Sequence, residues 1–528
     1  MLRGGTVVDG TGAPARVADV AIRGATIAAV GDLPRSAAAP VLDVTGLVVA
    51  PGFIDAHGHS DIALLSSPSV PSKIQQGITT EVIGNCGLAV APLRPDTDVG
   101  AVRSLLSIVD VDRAVAWRWR TVADYLAAVE SAGSAMNIAM LAGHLAIRAS
   151  CCGLDDRPAT AAEIGQMQLM TEQALADGAV GLSCGLMYPP NSYASTDELV
   201  ALGEVIASHD AVFTFHLRDY ADQLLESVRE ALTVAARSGC RVQISHLTVV
   251  GRRNWGKVAR ALDLIDAAGS GGLDVTADIY PYLAGSTNLT QLLPRWSLDG
   301  GTARLLERLA RPADRRRIRA ELTGDRLQGW DEILLADGDF ADPGAYPAGH
   351  SVRQIAQRHG VAPEDAFLDM AAASGGSAVI VAFGRSEDDL RAVLRHPRSM
   401  IGSDGLGLDP DGPSGRGQPH PRSYGCYPRL LGQYVREQRV LSLEEAVRKS
   451  TSQVAARFGI RDRGRVAPGM TADLVVFDPE AIIDRATFTE PQQPAAGIQC
   501  VLTAGEVILQ AGRQTGKLPG AVLRRRPA

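Results

Sequence analysis

Eight short apolar runs, each separated from the next by a stretch suited to a helix, constrain this chain more than any other feature. They are Phe53 to Ala56, Thr79 to Ile83, Asn137 to Ala142, Val180 to Ser183, Val212 to His216, Arg241 to His246, Leu273 to Asp278 and Met400 to Asp404. Apolar strands alternating with helices are the pattern of parallel βα units, in which helices cover both faces of the sheet. Ala161 to Asp177 has helical apolar spacing, and Ala221 to Ser238 carries Leu224, Val228, Leu232 and Ala235 along one stripe. A ninth run, Ala378 to Ala382, leaves open which of them lies outside the sheet. The fold class expected is α/β, a (β/α)8 TIM-like barrel rather than an open sheet.

The ends of the chain have a different texture. Residues 4 to 50 are short apolar runs broken by turn signals such as Asp9-Gly-Thr-Gly12, and the same pattern returns in Gly469 to Asp478 and Ile498 to Leu509. The expectation is one β-sandwich built from residues 1–50 and 465–528, beside a barrel over 51–464. Residues 295–350 break the βα alternation with Asp314-Arg-Arg-Arg and Asp337-Gly-Asp-Phe-Ala-Asp-Pro-Gly344, a connection far longer than usual, and read as an inserted lid or subdomain.

With 528 residues, 46% of them hydrophobic, the chain can bury a large core. A net charge of -7 and the absence of a long basic run argue against a nucleic-acid partner, and the Arg524–Arg526 tail reads as solvated. No window is apolar enough for a membrane span, and the N-terminus lacks a signal peptide's apolar core, so a cytoplasmic protein is expected. The seven cysteines are irregularly spaced and form no disulfide framework.

In such barrels the functional side chains sit where strands end. Here the runs end at His57 and His59, at Cys86, at His144, at His216, at His246 and at Asp404. Five of the ten histidines are thus at strand ends, which argues for a metal centre, because imidazole and thiolate are preferred zinc ligands. Cys86 could instead fit a tight turn, His144 could be structural, and Asp404 could cap a turn; beside a metal, Asp404 is the better candidate for a proton carrier. None of the four lysines falls at a strand end, so no carboxylated lysine can bridge two metals, and the Cys86 thiolate is the anion left to do so.

Pro51-Gly-Phe-Ile-Asp-Ala-His-Gly-His59, Gly84-Asn-Cys-Gly87, Gly181-Leu-Ser-Cys-Gly-Leu-Met-Tyr-Pro-Pro190, Phe215-His-Leu-Arg218, Gln243-Ile-Ser-His246, Asp278-Ile-Tyr-Pro-Tyr-Leu-Ala-Gly-Ser-Thr287, Gly402-Ser-Asp-Gly405 and His420-Pro-Arg422 resemble the D-aminoacylase branch of the amidohydrolase superfamily. The resemblance spans nearly the whole chain. It implies zinc-dependent hydrolysis of N-acyl-D-amino acids, with Cys86, His216 and His246 holding a tight zinc, His57 and His59 a weaker second site, and Asp404 moving the proton. Tyr188, Tyr282, Ser286 and Thr287 would line the substrate pocket, with His144 a further candidate, and a homo-oligomer is possible. One position departs from the pattern. Where the family commonly has a Lys that pairs with the substrate carboxylate, this chain has Thr248, so Arg218 or Arg422 is the expected substitute. The alternatives are a hydrolase of another amide (a cyclic amide, dipeptide or synthetic amide) and a non-catalytic scaffold.

Overall fold

The computed structural model describes residues 1–34, 40–324 and 326–525. Its centre is an eight-stranded sheet, all parallel, in the order of the chain. The strands are β1 (Phe53–Asp55), β2 (Ile78–Ile83), β3 (Asn137–Gly143), β4 (Gly181–Gly185), β5 (Val212–His216), β6 (Arg241–Ile244), β7 (Val275–Ile279) and β8 (Ser399–Ile401). The eight runs picked out by hydropathy therefore all lie in the barrel. Helices between them bury one face only: Leu224–Ser238 turns Leu224, Leu225, Val228, Ala231, Val234 and Ala235 inward.

The barrel closes between β1 and β8. That seam is held by the Ala56 amide on the Ile401 carbonyl (3.4 Å), the Asp404 amide on the His57 carbonyl (2.7 Å) and the His59 amide on the Gly405 carbonyl (3.1 Å). Two glycines permit the approach. A Cβ on Gly58 would stand 1.8 Å from Glu81 Oε1, and one on Gly402 would stand 2.5 Å from His57 Cβ.

The ninth run belongs elsewhere. Val379–Phe383 is the centre of a small antiparallel sheet, flanked by Ala284–Asn288 and Ile333–Asp337. Helices Gly301–Ala310, Pro312–Leu322, Val352–His359 and Pro363–Ala373 pack on it, around a core that includes Leu305, Leu309, Ile318, Phe367, Met370 and Ile380. This separate unit runs from 284 to 383, so segment 295–350 is only its middle. Its limits were hidden because its central strand, the ninth run, looks like a continuation of the βα series.

Both ends of the chain contribute to one nine-stranded sheet, joined where Val48–Pro51 pairs antiparallel with Leu474–Phe477. The sheet curls until the Ile27 amide reaches the Met470 carbonyl (2.9 Å), enclosing Val7, Val20, Ile27, Val49, Leu474 and Leu502. The last residues leave it: Pro519 and Val522 bridge to Ser134 and Ile138 beside β3. Arg524, exposed as expected, pairs with Glu130, and the half-buried Arg525 donates to the His209 carbonyl; Arg526 lies outside the described residues. Among the described residues no helix is long and apolar enough to cross a membrane.

Beneath the seam lies a wholly buried cation. Lys73, in the short helix Pro71–Ile74, places Nζ 2.9 Å from Asp55 Oδ2, Glu81 Oε1, Ser403 Oγ and the Gly405 carbonyl. Asp55 in turn accepts from the Ser403 amide at 2.7 Å. Removing one partner of a buried pair strands the others without water, at about 3–5 kcal/mol. Lys73→Met is therefore expected to lose on the order of that much stability, or to fail to fold, as read by denaturant unfolding. A midpoint equal to wild type would show that the buried pair does not brace the seam.

Candidate active site

The carboxyl ends of the barrel strands open into a cavity of about 270 Å³. His57 and His59 follow β1, Cys86 follows β2, His216 ends β5, His246 follows β6 and Asp404 follows β8. Ligand atoms of His57, Cys86, His246 and Asp404 all lie within 4.8 Å of one another, and all four residues are buried. His57 Nε2 is 3.2 Å from Cys86 Sγ and 3.5 Å from Asp404 Oδ1; His246 Nε2 is 3.4 Å from the same sulfur. His59 Nε2 is 3.0 Å from Asp404 Oδ1. Three of these residues hold backbone conformations that side chains disfavour: φ is 57° at Cys86, 34° at His246 and 49° at Asp404. Such strain persists only where the surroundings impose it, and it concentrates at functional sites.

The donor set fits a metal. The His216 ring stands 4.6 Å from that of His246, and among the described residues neither of its nitrogens has a hydrogen-bond partner although both are buried; His59 Nδ1 is likewise unpartnered among them. Buried imidazole nitrogens facing a cavity without partners are the condition a cation relieves. Burial holds His216 down at about 3 and His246 well below the ordinary range, so both offer the neutral, ligating ring. Burial pushes the Cys86 thiol up to about 11, so a metal would have to displace its proton. Burial also works against ionised Asp404. The Arg422 charge, the pull of His57 and the hydrogen bond from His59 overcome it and keep the carboxylate well below its usual range. The two metal sites implied by the resemblance are thus neighbours in one cluster, with Asp404 against both His57 and His59.

Asp278 at the end of β7 orders this cluster from behind. Its Oδ1 lies 3.1 Å from His57 Nδ1 and accepts from the His246 amide at 2.7 Å, while its Oδ2 accepts from Gln243 Nε2 at 2.6 Å. A carboxylate on Nδ1 fixes the tautomer that leaves Nε2 free to ligate.

Of the residues expected to meet substrate, Tyr188, Ser286, Thr287, Arg218 and Arg422 line the cavity, as does Thr248. Thr287 Oγ1 donates to the Tyr188 hydroxyl at 3.4 Å. Two expectations are corrected. Tyr282 points away, with its hydroxyl 3.1 Å from Asp484 and its ring under Arg429, and the residue that faces the cavity is Tyr280, two positions earlier. His144 starts the helix after β3 and is consumed by Glu198 at 2.9 Å, which also takes Arg148 at 3.0 Å. Neither proposed substitute cation is free. Arg218 is clamped by Glu230 at 3.0 and 2.9 Å and by the Ser192 and Ala194 carbonyls, and Arg422 binds Asp404 Oδ2 at 2.6 Å.

Sequence reading passed over Asp278, Tyr280 and Arg385. Asp278 and Tyr280 stand at the end of a barrel strand, which was signal enough. Arg385 follows the ninth run and had none.

The chain matches the family model described as "Amidohydrolase family" over residues 40–188 and 364–509. It is 36% identical over 531 residues to the D-aminoacylase of Alcaligenes xylosoxydans xylosoxydans, covering 100% of this chain and 98% of the relative. The chain belongs to the amidohydrolase family. A solved D-aminoacylase, whose binuclear metal centre is described by one-metal activation and second-metal attenuation, superposes with a TM-score of 0.84 at 37% identity over 99% of both chains. An N-acyl-D-glutamate deacylase from Bordetella bronchiseptica, solved with zinc and a phosphonate that mimics the tetrahedral intermediate, gives 0.84 at 35% identity over 99% of both. This amidohydrolase is accordingly a metal-dependent hydrolase of the D-aminoacylase branch.

One buried acid near the site titrates in a useful range. Burial, and then the Glu81 carboxylate, push Asp61 up from 3.8 to about 7. Between those values the folded chain keeps a proton that the unfolded chain gives up, so stability falls as pH rises through this window and the cost is complete above it. Asp61→Asn cannot ionise. It is expected to unfold at a higher temperature than wild type at pH 8, by an amount that shrinks toward pH 4; a pH-independent difference would contradict the shift.

Proposed function

We propose that this amidohydrolase uses zinc to hydrolyse the amide bond of N-acyl-D-amino acids, releasing a carboxylate and a free D-amino acid. The observation that carries the reading is the convergence of His57, Cys86, His246 and Asp404 within 4.8 Å, beside a His216 ring with both nitrogens unpartnered, at the floor of a cavity. Relatives named D-aminoacylase and N-acyl-D-glutamate deacylase, alike over the whole chain, support the substrate class and its D configuration. The one-metal activation described for the solved D-aminoacylase favours a single tight zinc here, with a second site of weaker demand.

Cys86, His216 and His246 would hold the tight zinc, with His57 and His59 serving the weaker site. When bound, zinc lowers the pKa of water to about 7 and polarises the scissile carbonyl. Asp404, kept ionised by Arg422 and the surrounding histidines, accepts the attacking water's proton. It then delivers that proton to the departing amine, which is too basic to leave unprotonated. Asp278 keeps His57 oriented throughout, and Tyr188 with Thr287 borders the space left for the substrate.

A second reading, another amide on the same machinery, is favoured by one feature: Thr248 lines the cavity at the position where the resemblance implies a lysine. The deciding assay is acetate release by the zinc-loaded protein from N-acetyl-D-methionine, N-acetyl-L-methionine and the carboxamide of the D form, with a hydantoin panel alongside. Preference for the D acid supports deacylation; turnover of hydantoins or of the carboxamide alone moves the enzyme to the second reading. Chelation is expected to abolish turnover and added zinc to restore it. Asp404→Asn is expected to lose about 10²–10⁴-fold in kcat while retaining metal by elemental analysis. Retained turnover would remove Asp404 from the mechanism.

A further inference from the structure

Arg385 is the cavity's uncommitted cation. Its guanidinium belongs to no ion pair among the described residues, and its Nε and Nη1 are buried without hydrogen-bond partners. It lines the same cavity as Thr248, His216, His246, Tyr280 and Arg422. Arg385 as a whole is half-buried, but guanidinium nitrogens buried without an acceptor are costly, and an anion entering the cavity would supply the missing acceptor.

The placement is built into the backbone. Val379–Phe383 ends at Gly384, whose φ of 117° lies in the region that favours glycine. The Gly384 carbonyl is fixed by the Gly251 amide and by Trp255 Nε1, both at 3.0 Å. The Arg385 Cζ then lies 4.8 Å from the centroid of the Tyr280 ring, and the Arg422 Cζ lies 4.7 Å from the same centroid. Gly285 makes room, since a Cβ there would stand 2.7 Å from Arg385 Nη2. Arg422 is paired with Asp404 and Arg218 with Glu230, so of these three guanidiniums lining the cavity Arg385 is the one without a carboxylate partner among the described residues. Its charge also reaches the metal cluster: after burial, it is among the causes that hold His216 and His246 in the neutral form.

We propose that Arg385, carried by the inserted sheet, binds the substrate's free carboxylate and takes the place of the lysine that Thr248 replaces. A guanidinium presents paired N–H groups that match a carboxylate, and Arg385 has two buried donors open. Thr248, neutral and short, leaves the space into which that carboxylate fits. The inference rests on the deacylase reading for the identity of the anion, but not for its existence.

The test compares wild type with Arg385→Leu, Arg385→Lys and the double variant Arg385→Leu/Thr248→Lys, all zinc-loaded. For Arg385→Leu the KM for N-acetyl-D-methionine is expected to rise about 10- to 100-fold with kcat much less affected. Its preference for the acid over the carboxamide should fall by a similar factor. Arg385→Lys should recover part of the loss, and Thr248→Lys in the leucine background should restore acid binding from the other position. Equal losses on acid and carboxamide, or an unchanged KM for the acid, would overturn the proposal and leave Arg385 as packing on Tyr280. A second arm needs no turnover: calorimetric binding of N-acetyl-D-methionine to metal-stripped wild type and Arg385→Leu. Weaker binding by the leucine variant supports the anion subsite even in a protein that cleaves nothing, in which case only the deacylase reading falls. Equal binding overturns the subsite even where deacylation is observed.

Discussion

The site depends on how the barrel closes. β1 and β8 meet through a few backbone hydrogen bonds, and immediately beyond them come His57, His59 and Asp404. A seam so short could not fix three side chains by itself. It is held from below by Lys73, which binds Asp55 on one side of the seam, Ser403 and Gly405 on the other, and Glu81 on β2. Buried charges tolerate little displacement, because separating them without water is costly. The pair thus converts a loose closure into a rigid one, and the position of Asp404 relative to the histidines follows from it.

Rigidity is used to hold groups where they would not otherwise stay. Positive φ at Cys86, His246 and Asp404 accompanies the convergence of their side chains, and the His216 ring, with both nitrogens unpartnered among the described residues, stands beside His246. Each of these features costs stability in isolation. Together they make sense as a preformed cradle in which a cation supplies the missing partners and displaces the Cys86 proton. Asp278 does the remaining work by holding His57 and the His246 amide on one oxygen, which couples the ligands to each other as well as to the ion.

The sequence made the barrel legible because its strands are buried on both faces and therefore read as uninterrupted apolar runs. Strand-end histidines, Cys86 and Asp404 were legible for a related reason: polar residues at the ends of such runs have few structural explanations. What stayed hidden was geometry within a fixed motif. Tyr280 and Tyr282 sit in the same Asp-Ile-Tyr-Pro-Tyr segment, and only the backbone turn after β7 decides that the first faces the cavity and the second reaches Asp484. His144 occupied a strand end like the others, yet the helix it begins carries it to Glu198. Arg218 and Arg422 looked available because charge on paper is not charge to spare. Both prove to be already paired, and that fact is visible only when Glu230 and Asp404 are placed beside them.

Chemistry and recognition are carried by different parts of the molecule, and their attachment differs accordingly. The metal cradle rests on barrel strands tied into a single core with the surrounding helices. Ser286, Thr287 and Arg385 rest on the inserted antiparallel sheet, which has a hydrophobic core of its own around Leu305, Phe367 and Ile380. A unit with its own core can change the residues it presents while the barrel core beneath the metal ligands stays as it is. Position 248, where the resemblance implies a lysine, holds a neutral Thr in the barrel, and Arg385 brings a cation into the same cavity from beside the inserted sheet. An anion held from the insertion sits at a distance from the metal set by how the two units dock and no longer by the pitch of a barrel strand, so which acyl amino acid fits becomes a property of that docking.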